Sequence, residues 1–140
     1  MAFITAQTQP EITLAVVTND GDDIVLRVTM VNRDSKVFPL LRWNLPGDSE
    51  LTNALFELSR NGTPVPYRGK MVKRSVSDKD YLRLKPGEER STMIALAQGY
   101  DTKPKGTYKI RYHAWNQYSR DNNIPVLVDM SSDEVTVIKK

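Results

Sequence analysis

The sequence predicts an all-β fold, an antiparallel sandwich of about seven to nine short strands. Two observations carry this. Apolar residues alternate with polar ones in short runs separated by turn signals at intervals of roughly 8–12 residues, and almost no stretch shows helical periodicity. A third observation, in the stretch 82–112, narrows the class. There Gly106-Thr107-Tyr108-Lys109-Ile110-Arg111-Tyr112 places Tyr108, Ile110 and Tyr112 on one strand face behind a long connection. A Tyr just after a Gly, entering such a strand, is the sequence form of a tyrosine corner, and it makes the predicted sandwich immunoglobulin-like. Two residues on, Ile110 stands where antibody domains carry a Cys, so packing alone must join the sheets.

Residues 1–10 read as a flexible lead-in, and 11–140 as a single immunoglobulin-like sandwich domain. Ile12, Leu14 and Val16 alternate, Asn19-Asp20-Gly21-Asp22-Asp23 turns the chain, and Ile24, Leu26, Val28 and Met30 return as the second strand of a hairpin. The acidic turn lacks the Asp-x-Asp-x-Asp-Gly order of a calcium loop and is read as a plain turn. After Asn32-Arg33-Asp34-Ser35, the run Val37 through Trp43 forms a strand, with Trp43 expected to pack between the sheets. Leu45-Pro46-Gly47-Asp48-Ser49-Glu50 breaks it, and 51–55 fits a helical turn. Phe56, Leu58 and Val65 flank Asn61-Gly62, whose positive φ angles suit a tight hairpin. Asn61-Gly62-Thr63 also matches a glycosylation sequon, but Pro64 follows it and the hairpin reading is preferred. The segment 66–74 reads as a basic, edge-like stretch whose prolines and lysines discourage pairing.

Leu82 and Leu84 lead into the turn Lys85-Pro86-Gly87-Glu88, and Thr92, Ile94 and Leu96 continue as a strand. Beyond Tyr112, residues 113–129 show the least pattern and are read as a long loop carrying Trp115, Tyr118 and Arg120. Val126 and Val128 add a short strand, and 134–138 closes the chain as the last one. No internal repeat or low-complexity segment interrupts this order.

Composition excludes several functions. Twenty Lys and Arg against 17 Asp and Glu leave a net charge of +3, with no dense basic block, so neither nucleic acid nor a membrane is the expected partner. The absence of cysteine removes disulfides, thiolate zinc sites and Cys nucleophiles. No apolar run approaches the roughly 18–20 residues of a membrane helix, and the N-terminus lacks the basic region of a signal peptide. The chain is therefore either cytosolic or one from which a signal has been removed.

Catalytic chemistry finds no footing. His113 is the single imidazole, whereas a histidine zinc site needs two or three nitrogens at defined spacing. It is read as a hydrogen-bonded structural residue. No H-E-x-x-H, G-x-S-x-G, P-loop or G-x-G-x-x-G occurs. Glu88-Glu89, Asp22-Asp23 and Asp133-Glu134 are sequence neighbours, which point to opposite faces of a strand and make poor acid/base pairs. No catalytic residue, metal ligand or cofactor is expected. Surface aromatics are what remain: Trp115 and Tyr118 with Arg120 are residue types that anchor interfaces.

From Ile24 to Ala114 the chain resembles a known family. Arg42-Trp43-Asn44-Leu45-Pro46, Phe56-Glu57-Leu58, Asn61-Gly62, Val65-Pro66-Tyr67-Arg68-Gly69, Met71-Val72-Lys73-Arg74, Leu84-Lys85-Pro86-Gly87-Glu88, Gly99-Tyr100-Asp101 and the Gly106–Tyr112 strand follow one another in an order and spacing. They resemble the N-terminal immunoglobulin-like region of secreted zinc peptidases of the deuterolysin and peptidyl-Lys metalloendopeptidase family. That region precedes the catalytic domain and serves as a propeptide. The family's H-E-x-x-H and G-T-x-D motifs are missing, since Gly106-Thr107-Tyr108-Lys109 shares only two letters with the latter. The resemblance thus implies a non-catalytic, secreted or periplasmic domain that acts as intramolecular chaperone or inhibitor. Its partner would be a zinc metalloendopeptidase catalytic domain, in the same precursor or on a separate chain. Arg68, Met71, Lys73 and Arg74 on one segment, and Trp115, Tyr118 and Arg120 on another, are the candidate contacts. A free-standing carbohydrate- or protein-binding adhesive module, using Trp115 and Tyr118 as a stacking platform, is the alternative, and a structural spacer is a third.

Overall fold

Alternation along the chain yields strands wherever one face can be buried, and the computed structural model shows how they are assembled. It describes residues 4–6, 9–19, 21–46 and 50–140. Asp20 of the first turn, residues 47–49 of the expected strand break, and parts of the lead-in lie outside the described residues. The strands are β1 (Ile4–Ala6), β2 (Glu11–Thr18), β3 (Val25–Val31), β4 (Phe38–Leu41), β5 (Phe56–Arg60), β6 (Thr63–Val65), β7 (Tyr81–Leu84), β8 (Glu89–Ala95), β9 (Gly106–Asp121), β10 (Ile124–Ser131) and β11 (Val135–Lys139). The class expected from the sequence, an all-β antiparallel sandwich, is the class observed.

One sheet runs β1-β10-β9-β5-β6, with β11 also pairing β9; a second runs β2-β3-β8; β4 and β7 pair with each other. Every pairing is antiparallel except that of β1 with β10, which draws Ile4–Ala6 of the lead-in beside Val126–Val128. Both sheets contribute to one apolar cluster. From the smaller sheet come Ile12, Leu26, Val28, Met30 and Ile94; from the larger come Phe56, Leu58, Tyr108, Ile110, Tyr112, Val128 and Met130. Period-two burial along β3 and β9 is the physical content of the sequence pattern. The predicted corner forms as well, because the Tyr108 hydroxyl donates to the Pro104 carbonyl at 2.5 Å while its ring is fully buried.

The turns follow their residues. Asn61 (φ 50°) and Gly62 (φ 83°) close the β5–β6 hairpin, and the Asn61 side-chain oxygen accepts the Thr107 N–H at 2.9 Å. Pro86-Gly87 turns the chain between β7 and β8 with Gly87 at φ 78°. Asp23 of the acidic turn caps backbone, accepting from Ile24 at 2.7 Å and Ala97 at 3.0 Å.

Four expectations need correction. Residues 113–129 are not a loop: β9 continues to Asp121, the chain reverses at Asn122 and Asn123 (φ 51° and 65°), and β10 returns along it. The stretch 66–74 is not strand-like but irregular, and 51–55 forms no helical turn. Trp43 is not the buried sandwich Trp. It sits half-buried in a 3-10 turn, Arg42–Asn44, because consecutive Leu40 and Leu41 are both buried and end the alternation before it. No helix among the described residues is long and apolar enough to cross a membrane.

Candidate functional site

The 3-10 turn after β4 exposes one side of Trp43, and the irregular segment 66–77 is laid beside it by backbone bonds. Arg68 N–H donates to Gly99 at 2.6 Å and Val72 N–H to Thr52 at 3.0 Å. The first of these contacts depends on glycine. A Cβ on Gly69 would stand 2.8 Å from the Gly99 Cα, and one on Gly99 would enter the Tyr67 ring. Thus the Tyr67-Arg68-Gly69 and Gly99-Tyr100 motifs fasten the segment down. Its outer end then places the Arg74 guanidinium over the Trp43 ring, 4.7 Å from the centroid, while Arg74 Nη2 donates to the Thr52 hydroxyl at 2.9 Å. Stacking and hydrogen bond together fix an otherwise mobile arginine.

Around this pair lie three adjoining depressions that share Trp43, Thr52 and Arg74. The largest, about 620 Å³, runs from Arg42 and Trp43 to the Arg90–Thr92 wall of β8. A second, about 590 Å³, reaches Lys70 and Asp80. The third, about 280 Å³, extends to Val72, Trp115 and Leu127. Arg42 donates to the Lys79 carbonyl at 2.5 Å, and Glu50 bridges to Lys70 at 3.0 Å. On the margin, the Asn53 side-chain oxygen is buried without a hydrogen-bond partner.

The groove brings Arg74 and Trp115 of the two candidate segments to a common surface. Trp115 is 47% exposed on the outer face of β9, edge-on to His113 with ring centroids 6.2 Å apart. His113 bonds Asp129 at 2.5 Å. Tyr118, by contrast, packs edge-on against Phe38 with centroids 5.4 Å apart. It and Arg120 line a different depression of about 400 Å³ with Tyr81 and Asp78, so Trp115 and Tyr118 share no platform. Arg68, Met71 and Lys73 are exposed along the segment, Met71 at 71%. Sequence reasoning missed Trp43 itself, with Arg42 and Arg90, as surface groups. The signal available was the pair of adjacent leucines before Trp43, which says that the strand has ended. Among the described residues no three His, Cys, Asp or Glu side chains gather as a metal site would require.

Electrostatically the outer sheet face beyond Trp115 is a ladder of opposed charges. The Arg111 hydrogen bond holds the Glu57 carboxyl below its ordinary range, and the pair lies one rung from His113 and Asp129. Such exposed pairs contribute little to stability.

This is a β-sandwich domain with a basic, tryptophan-floored surface groove. No protein-family model matches the chain. It is similar to a protein named Extracellular protease from Aeromonas hydrophila, 38% identical over 100 residues, which are 71% of this chain and 28% of that protein. The matched stretch therefore spans under a third of the relative's length.

Proposed function

We propose that this chain is a non-catalytic, protease-associated domain that binds the catalytic part of a secreted peptidase. It acts there as a propeptide-like folding assistant, an inhibitor, or both. The observation that carries the reading is the similarity to part of an extracellular protease, borne by a chain with one histidine and no cysteine, too few ligands for a peptidase zinc centre of its own. The order of motifs resembling the deuterolysin and peptidyl-Lys family narrows the partner to a zinc metalloendopeptidase. Arg74 and Trp115, held on one surface, are a fixed cation and an exposed aromatic of the types that most often anchor protein interfaces. The test is titration of the domain into an active deuterolysin-type zinc peptidase, following substrate cleavage, with refolding yield of the denatured peptidase measured in parallel. Stoichiometric loss of activity or a raised yield is expected; neither effect would sink the reading. The adhesive alternative loses its named platform, since Tyr118 faces Phe38 rather than Trp115.

A further inference from the structure

The groove's charges are unevenly matched. In the largest depression three guanidinium groups, Arg42, Arg74 and Arg90, face a single carboxylate, Glu50, and that one is already bridged to Lys70. Arg90 pairs with Glu88 at 3.2 Å. Arg42 and Arg74 pair with no carboxylate among the described residues; their fixed contacts are a carbonyl, a hydroxyl and the Trp43 ring. A guanidinium stacked on an aromatic ring keeps its in-plane N–H donors directed sideways, the geometry that receives a carboxylate in bidentate fashion. The opposite wall belongs to β8, whose outer edge pairs with no strand among the described residues. Among the described residues, Thr92 ties that wall across, by a hydroxyl bond to the Pro46 carbonyl at 2.8 Å. An open strand edge beside oriented cations suits an extended chain better than a compact ligand. Sugar stacking is disfavoured because Arg74 already covers a face of Trp43.

We propose that this groove captures an acidic, extended peptide segment, its carboxylates meeting Arg42 and Arg74 and its backbone running along the open edge of β8. The proposal deepens the reading of the chain as a peptidase-binding domain and rests on it for the source of the segment, an acidic strand or loop of the peptidase. Charge complementarity of this kind speeds encounter and fixes register.

The test uses a short peptide of alternating Glu and Val, with a Lys and Val peptide as control, titrated into the wild-type domain and followed by calorimetry. The acidic peptide is expected to bind saturably and the basic one not to bind. The double variant Arg42→Ala with Arg74→Ala should weaken binding about tenfold or more, and added salt should weaken it too. Arg33→Ala, which removes an exposed arginine paired with Glu11, should leave affinity unchanged. The double variant Arg42→Lys with Arg74→Lys keeps the charge without the planar fork and should give an intermediate loss, which separates recognition from misfolding. Failure of the acidic peptide to bind, equal binding by the double alanine variant, or an equal loss in Arg33→Ala would overturn the proposal. The same variants in the peptidase titration divide the two ideas. If wild type and double variant inhibit equally, the groove is wrong and the peptidase reading stands. If neither inhibits while the peptide binds through Arg42 and Arg74, the peptidase reading fails and the groove remains an acidic-peptide site.

Discussion

Three tyrosine hydroxyls stitch the core to distant backbone. Tyr100 donates to the Phe56 carbonyl at 2.7 Å and accepts the Phe56 N–H at 3.0 Å, Tyr108 closes the corner on Pro104, and Tyr112 donates to Asn44 at 2.5 Å. Burial pushes the Tyr100 hydroxyl up to about 12 and Tyr112 further in the same direction. Below the ordinary value of 10.0 neither the folded nor the unfolded chain ionises these groups, and stability does not depend on them. Above it the unfolded chain releases protons that the native state retains, so stability falls as pH rises from 10.0 toward about 12. The slope should reach about 1.4 kcal/mol per pH unit for each tyrosine. Urea denaturation at pH about 9 and about 11 checks this, and Tyr100→Phe should lessen the slope; a flat profile would contradict it. The corner at Tyr108 was legible because its cues, a preceding glycine and strict alternation, are local. The Tyr112 bond was not, since its acceptor lies 68 residues away and nothing local marks it.

Among the elements, β9 shows why half a strand was readable and half was not. From Tyr108 to Tyr112 the buried positions are apolar and the pattern is plain. From Ala114 onward the pattern inverts: the small Ala114 and the polar Asn116 are buried while Trp115 is exposed. Then the register slips where Tyr118 stands between Gln117 and Ser119, paired with Leu127 and Val126, and alternation fails altogether. Asn116 is buried for a reason. Its side-chain oxygen accepts the Leu41 N–H at 2.8 Å and an Asn44 amide proton at 3.1 Å, and its amide donates to Pro39 at 3.0 Å. The side chain thereby acts as a missing rung, fastening β4 and its partner β7 to the large sheet without a ladder. Asn116→Ala leaves that N–H and carbonyl unsatisfied and should cost about 3 kcal/mol. Urea denaturation would measure the loss, and amide exchange at Leu41 should accelerate more than at Ile110. A loss well under 1 kcal/mol would mean that β4 is held by its apolar face alone.

At the scale of the whole molecule, the groove and the sandwich share their supports. Trp43 stands beside Asn44, which bonds Tyr112 and Asn116 at the centre of the large sheet. Arg74 is held through Thr52, next to the buried Leu51. The fold class was visible in the sequence because sandwich cores repeat one rule along every strand. The groove was not, because it is assembled from an irregular segment, a 3-10 turn and a strand edge that no period relates. If these parts are held by the same core, they must be lost together. We predict that single-tryptophan variants, Trp43→Phe reporting the outer sheet face and Trp115→Phe reporting the groove, unfold in urea with midpoints coincident with each other and with far-UV circular dichroism. An earlier transition in the Trp43 signal alone would show that the groove melts while the sheets persist. A binding surface that came apart separately would have to be ordered by its partner, and part of the association free energy would then be lost to folding it.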